Sequence, residues 1–321
     1  YTLVDTYTGA SFFDKFNYFT EEDPTGGVVE YINPTLPTTS HLNLTHATST
    51  SIILRIDTSP TLNSTAAKIK SIRIESLPRY TTGLFIFDIR HTPHGCGLWP
   101  ALWLSDTSEN WPNNGEIDVL EATNRGGGGN VVSLHTGYGC RMVQTGIVTG
   151  HESGICDVGD GKANVMGCGV RGGVETYGSV FNGNGGGVYT LEIHPSGIKV
   201  WFFPRGEIPA DITNAITNSK PPNNKNNHKK RNTTSNPPTA PQPPTWGPPL
   251  AHFPSTTCPI RNHFNNLQII ANIDLCGQNA GQSSTYTDQD GCPGTCEEYV
   301  RENVQTLRDA YWEFGGFWVF Q

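Results

Sequence analysis

Three carboxylates, Glu116, Asp118 and Glu121, fall within six residues of the run Asn113-Asn114-Gly115-Glu116-Ile117-Asp118-Val119-Leu120-Glu121, in a chain only 16% charged. The intervening residues are apolar and partly β-branched, which reads as a strand. Strand side chains alternate faces, so Glu116 and Asp118 share one, while Glu121 of a regular strand points away. One bulge between Asp118 and Glu121 returns Glu121 to the shared face, with Ile117 and Leu120 turned to the core. Two carboxyls about 5–5.5 Å apart can act as nucleophile and acid/base at a glycosidic bond. Four strand steps between the Cα atoms of Glu116 and Glu121 span roughly 13 Å. The pair can therefore meet only across the hollow of a curved sheet. Asp118, lying between, can hold a proton or bond to Glu116 and so help set which carboxyl is ionised. A solvated acidic face on an ordinary strand would account for the same spacing.

The surrounding residues favour the chemical reading. Trp99, Trp103 and Trp111 lie within thirteen residues just ahead of the acids and are three of only seven tryptophans. Flat amphipathic rings offer the contact area that the C–H faces of sugars need. Taken singly, each Trp is as well explained as a core residue; as a cluster beside the acids they suggest a sugar cleft.

The segments HGCGLWPALWLSD, NWPNNGEIDVLEATN and SLHTGYGC together resemble glycoside hydrolase family sixteen, closest to its fungal laminarinase-like endo-β-glucanases. Glu-x-Asp-x-x-Glu is that family's bulged signature. The likeness continues through Ser71–Ile74, Tyr80–Thr82, Phe87–Arg90, Phe181–Gly187, Lys199–Arg205 and Cys292–Cys296, and misses only a Pro/Asn-rich insert. It implies a retaining endo-β-glucanase acting on β-1,3 or mixed β-1,3-1,4-glucan. Glu116 would be the nucleophile, Glu121 the acid/base and Asp118 their helper. Trp99, Trp103, Trp111, His135 and Arg73 match positions lining the family's cleft. Where the fungal relatives read Cys-Gly-Asp-Trp-Ala-Gly, this chain has Cys276-Gly277-Gln278-Asn279-Ala280-Gly281, without the ring on the leaving-group side. Transglycosylation at the same site, and a non-catalytic β-glucan lectin, are the alternative functions. The intact acid set speaks against the lectin, because binding alone does not need it.

The elements that must position these residues are numerous, short and separated by Gly/Pro turns, as 36 Gly and 23 Pro imply. Strands are expected at 51–57, 69–75, 83–90, 101–104, 116–121, 131–135, 188–194, 199–204, 267–275 and 316–321, with a hairpin turn at His194-Pro195-Ser196-Gly197. The fold class is all-β: a concanavalin A-like jelly-roll β-sandwich with a concave cleft. Thr295 and Glu298 form a capping box for one helix carrying Val300, Val304, Leu307 and Tyr311. Gly126–Gly129 lacks the Gly-Lys-Ser/Thr ending of a phosphate loop and reads as a flexible turn on the cleft rim. The organisation expected is one catalytic domain over 1–321 with an exposed low-complexity insertion at about 218–249.

A net charge of −8 and pI near 5.7 argue against nucleic acid or anionic membrane as partner. No apolar run reaches the roughly 20 residues of a membrane helix. Eight cysteines allow up to four disulfides in any of 105 pairings and suit an oxidising compartment. A zinc site at Cys292 and Cys296 lacks a His cluster to complete it. With the start at Tyr1, and sequons at Asn43, Asn63 and Asn232, the cysteines support an extracellular, secreted monomer. It would use no cofactor and no metal, and its partner would be a β-glucan polysaccharide or oligosaccharide.

Overall fold

A computed structural model describes residues 1–59, 68–108, 111–140, 156, 167–219 and 240–321, together with the backbone of 151–154. Two antiparallel sheets of eight strands dominate it. The first runs Ala251–Pro254, Gly197–Pro204, Gly187–His194, Gly83–His91, Tyr311–Phe320, Ile52–Arg55 and Thr45–Ala47, and Leu3–Tyr7 also pairs with Tyr311–Phe320. The second runs His151–Gly154, Cys168–Arg171, Val131–His135, Glu116–Glu121, Leu98–Ser105, Gln268–Leu275, Arg73–Ser76 and Phe16–Tyr18. A short parallel pair, Val29–Tyr31 with Ile69–Ser71, stands apart. Neighbours far apart in sequence, such as Leu98–Ser105 beside Gln268–Leu275, give the crossed connections of a jelly-roll sandwich.

Phe85, Phe87 and Ile89 from the first sheet and Leu102, Leu104, Ile117, Leu120, Ile269, Ala271 and Ile273 from the second belong to one buried cluster. Along Gly83–His91 the alternate residues Leu84 and Ile86 are equally buried, in a second cluster with Val188, Trp201, Phe203, Trp318 and Phe320. That strand therefore reads as continuously apolar instead of alternating, because both faces of its sheet are covered. The outer cover comes from the helix Ala210–Asn218, through Ile212 and Ala215, and from Trp246.

Most of the expected strands are present. Glu116–Glu121 and Val131–His135 have the expected bounds, and the His194–Gly197 turn closes a two-residue hairpin. Three expectations are corrected. The stretch 69–75 is two strands, Ile69–Ser71 in the small pair and Arg73–Ser76 in the large sheet. The capped helix is shorter than its apolar spacing suggested: it covers Cys296–Glu302, and Tyr311 opens the final strand. The low-complexity stretch read at 218–249 lies outside the described residues over 220–239, but its C-terminal ten residues are built into the fold. There the Asp211 carboxylate accepts from the Gln242 backbone at 2.7 Å and from Trp246 Nε1 at 2.9 Å. Trp246 packs edge-on to Trp201, with ring centroids 5.4 Å apart. Asn43 is exposed; the other two sequons fall outside the described residues. All eight cysteines are paired: Cys96–Cys292, Cys140–Cys258, Cys156–Cys168 and Cys276–Cys296.

Candidate active site

The acid-bearing strand contains the bulge its apolar pattern demands. Against Leu98–Ser105, Glu116, Ile117 and Asp118 pair one-to-one with Ser105, Leu104 and Trp103; then Leu120 faces Leu102 and Glu121 faces Ala101, so Val119 is the extra residue. The opposite neighbour shows the same irregularity, with Asp118 opposite Ser133 and Glu121 opposite Val131. Ile117, Val119 and Leu120 are fully buried. The bulge lets the strand bury all three while keeping its acids on the other face. Cross-strand partners place Trp99, Ala101 and Trp103, then Ile270, Asn272 and Asp274, then Arg73 and Glu75, on that same face.

The tryptophans do more than line this face. Trp99 Nε1 donates to Glu121 Oε1 at 2.7 Å, and Trp111 Nε1 donates to Glu116 Oε2 at 3.0 Å. Trp103 Nε1 donates instead to Asn272 Oδ1 at 2.9 Å. Trp111 is 57% exposed, which leaves its ring free to meet a ligand. Arg73 is buried and salt-bridged to Glu75 at 2.8 Å, its guanidinium 4.3 Å from the ring centre of Phe19 and 5.0 Å from that of Trp103. It holds Trp103 and reaches the cleft through that ring. His135 Nε2 lies 3.2 Å from Asp118 Oδ2 and 3.9 Å from Glu116 Oε1, so it attends Asp118 and Glu116, not Glu121. Asn279 stands with Thr123, Arg171, Thr285 and Gln289 around a pocket that opens beside Glu121. Gly126–Gly129, read as a flexible turn, is closely packed: a Cβ at Gly126 would fall 2.1 Å from Tyr177, and Gly127 N–H donates to Asp290 at 3.1 Å.

Burial, and then the charge of Asp118, push both glutamates far above the usual carboxylate range, Glu116 to about 8 and Glu121 to about 7. Burial works against protonation of His135, but the bond to Asp118 and the three acid charges outweigh it and raise the imidazole to about 9. The site at neutral pH is thus an imidazolium among carboxyls that share a proton. Glu116, Asp118 and His135 present ligand atoms within 4.8 Å of one another, and in this arrangement the imidazole is ion-paired to Asp118 at 3.2 Å.

The sequence and the fold are similar to those of known enzymes. A family model described as XgeA-like, catalytic GH16 domain, matches residues 16–320. The chain belongs to glycoside hydrolase family 16. A probable glycosidase of Schizosaccharomyces pombe is 38% identical over the whole chain, which spans 69% of that protein. A probable endo-1,3(4)-β-glucanase of Aspergillus clavatus is 34% identical, and there the chain spans 46% of the relative's length. Among solved structures, laminarinase 16A of Phanerochaete chrysosporium, with β-glucans in both donor and acceptor sites, is 38% identical with a TM-score of 0.87, covering 100% of this chain and 99% of that one. An elongating family 16 β-1,3-glucosyltransferase is 32% identical with a TM-score of 0.83, over 100% and 99% of the two chains. This family 16 member therefore is a glycoside hydrolase.

Sequence reasoning put the three acids on one face and took Trp99, Trp103, Trp111, His135 and Arg73 as cleft residues by resemblance; in the structure the strand register puts the acids, Trp99, Trp103, His135 and Arg73 on one face, and Trp111 bonds to Glu116 from the preceding turn. Sequence reasoning missed that two indole N–H groups bond to the acids. It also missed Asn130, whose side chain bonds both ends of the bulge; an Asn closing a glycine run carries no sequence signal of that role.

Proposed function

We propose that this chain is a secreted, retaining endo-β-glucanase that cuts β-1,3 and mixed-linkage β-1,3-1,4-glucans by double displacement. One observation carries the reading: the bulge sets Glu116, Asp118 and Glu121 on one face of the sheet, with an indole N–H on each glutamate. The likeness to a laminarinase with β-glucans bound supports the substrate class. Four disulfides support secretion, and no described helix is long and apolar enough to cross a membrane.

In the first step Glu121 gives its proton to the departing glycosidic oxygen while Glu116 attacks the anomeric carbon, forming a glycosyl ester. Glu121, now ionised, takes a proton from water, which attacks the ester and frees Glu116 with net retention. The reactive form has Glu116 ionised and Glu121 protonated, one of two placements of a shared proton. Trp111 N–H and the His135 imidazolium face Glu116 and favour it there. So does the positive charge that develops at the anomeric carbon. No cofactor or metal takes part. Asp118 anchors His135. Trp111 and Trp103 offer ring faces to the glucan. A straight β-1,4 chain fits the curved face poorly, so cellulose is not a substrate.

A second reading, transfer to a sugar hydroxyl in place of water, is favoured by the likeness to the elongating glucosyltransferase and by the presence of a pocket beside Glu121. Products of laminarin, barley β-glucan and lichenan, compared side by side, test both. Shorter oligosaccharides released as β-anomers support hydrolysis with retention, and products longer than the substrate support transfer. Initial release of α-anomers would overturn the mechanism.

A further inference from the structure

The bulge that brings Glu121 to the cleft has a backbone cost. At Val119 and Leu120 two residues oppose one on the neighbouring strand, so ladder hydrogen bonding breaks where the chain is fully buried. Buried N–H and C=O groups left unpaired are destabilising, and a backbone without partners is free to shift. One side chain supplies the partners. Asn130 Nδ2 donates to the Val119 carbonyl at 2.9 Å, and Asn130 Oδ1 accepts from the Glu121 N–H at 2.8 Å. A planar amide carries one donor and one acceptor at this spacing; an ionised Asp lacks the donor, and Leu lacks both.

Asn130 is itself fixed. It is completely buried. Its N–H donates to Thr176 Oγ1 at 2.9 Å, and its C=O accepts from Gly172 N–H at 2.8 Å. The Thr176 hydroxyl donates to the Gly173 carbonyl at 2.6 Å, and the Thr176 carbonyl accepts from Tyr189 O–H at 2.6 Å. Tyr189 belongs to the opposite sheet. Gly129, at φ +78°, permits the approach: a Cβ there would lie 2.2 Å from the Gly173 carbonyl oxygen. A continuous series of bonds thus runs from the far sheet to the backbone of Glu121, whose carboxylate is held at the other end by Trp99.

We propose that Asn130 is a positioning residue for Glu121: it fixes the bulge so that this carboxyl can reach the glycosidic oxygen. The inference rests on Glu121 being the acid/base. It touches no substrate, and its effect falls on the proton-transfer step alone.

The test compares two substrates. Laminarin needs a protonated leaving group; a 2,4-dinitrophenyl β-laminaribioside expels its phenolate without one. Asn130→Ala should lower kcat/KM on laminarin on the order of a hundredfold, the scale of an ångström-sized misplacement. On the dinitrophenyl substrate kcat/KM should stay within about threefold, and azide, which attacks the glycosyl ester without a general base, should restore its kcat. Glu121→Ala is the control. If it lacks this pattern, the acid/base assignment fails. If it shows the pattern while Asn130→Ala loses both substrates equally, or neither, the positioning role is overturned. Asn130→Asp decides the matter should the Ala variant not fold. Its protonated carboxyl reproduces both bonds and its ionised one loses the donor, so the laminarin-to-dinitrophenyl activity ratio, relative to wild type, should fall as pH rises. A relative ratio flat in pH would overturn the inference.

Discussion

Replacing Glu121 by Gln should stabilise the fold, and only at neutral and alkaline pH. Burial and Asp118 raise the Glu121 carboxyl from 4.5 to about 7. The unfolded chain releases this proton near 4.5 and the folded chain near 7, so the folded state binds more protons between those values. Stability therefore falls with rising pH across that window and stays reduced above it. At about 1.4 kcal/mol per pKa unit the loss is roughly 3 kcal/mol. Glutamine is nearly isosteric with the protonated acid, can still accept from Trp99 Nε1, and cannot ionise. With an unfolding entropy of about 2.1 cal/mol/K per residue, 3 kcal/mol corresponds to a Tm difference of roughly 5 °C in a chain of this size. Thermal melts of wild type and Glu121→Gln, disulfides intact, should coincide at pH 4 and separate by about that amount at pH 8, the variant melting higher. Equal separation at both pH values, or a variant that melts lower at pH 8, would refute the argument that this acid is held protonated against its solvation.

Three other outcomes follow from the same structure. Activity on β-glucan should be bell-shaped in pH, because one glutamate must be ionised and the other protonated; both ionisations are displaced upward, so an acid limb at or below pH 4.5 would contradict the site. Replacing 220–239 by a short Gly/Ser bridge should leave activity and Tm nearly unchanged, whereas Trp246→Ala should cost about 3–5 kcal/mol by opening the cluster around Trp201 and Phe203; chemical denaturation distinguishes the two. Asn279→Trp should raise the ratio of kcat/KM on laminarin to that on mixed-linkage glucan by placing a ring in the pocket beside Glu121, and an unchanged ratio would count against that pocket as the leaving-group side.

The bulge was legible in the sequence because two constraints, acids on one face and Ile117 and Leu120 in the core, cannot both be met by a regular strand. The sandwich was legible because short β-rich runs and the Gly/Pro turns between them are local signals. What remained hidden depends on partners distant in sequence. Trp99 and Trp111 read as sugar platforms because an indole's face announces itself and its N–H does not. Arg73 read as a cleft residue, but its charge is taken by Glu75, a neighbour on the same strand, and its plane by Phe19 and Trp103. The helix Ala210–Asn218 had a usable signal in Ile212, Ala215 and Ile216 after Pro209; what obscured it was the polar stretch that follows. Trp246 was swept into that stretch by its prolines, and only the apolar outer face of the first sheet, which it helps to cover, explains why a tryptophan is needed there. The disulfide pairing could not be had from spacing at all.

Glu116 as the nucleophile of a retaining β-glucanase can be identified by covalent trapping. A 2-deoxy-2-fluoro aryl β-laminaribioside forms the glycosyl ester but slows its hydrolysis, so intact mass followed by peptide mapping identifies the residue that carries the sugar. One equivalent of fluorinated glycosyl should be found on Glu116, released on adding an acceptor sugar, with no adduct in Glu116→Gln. An adduct on Glu121, or none while laminarin is cut with inversion, would contradict it.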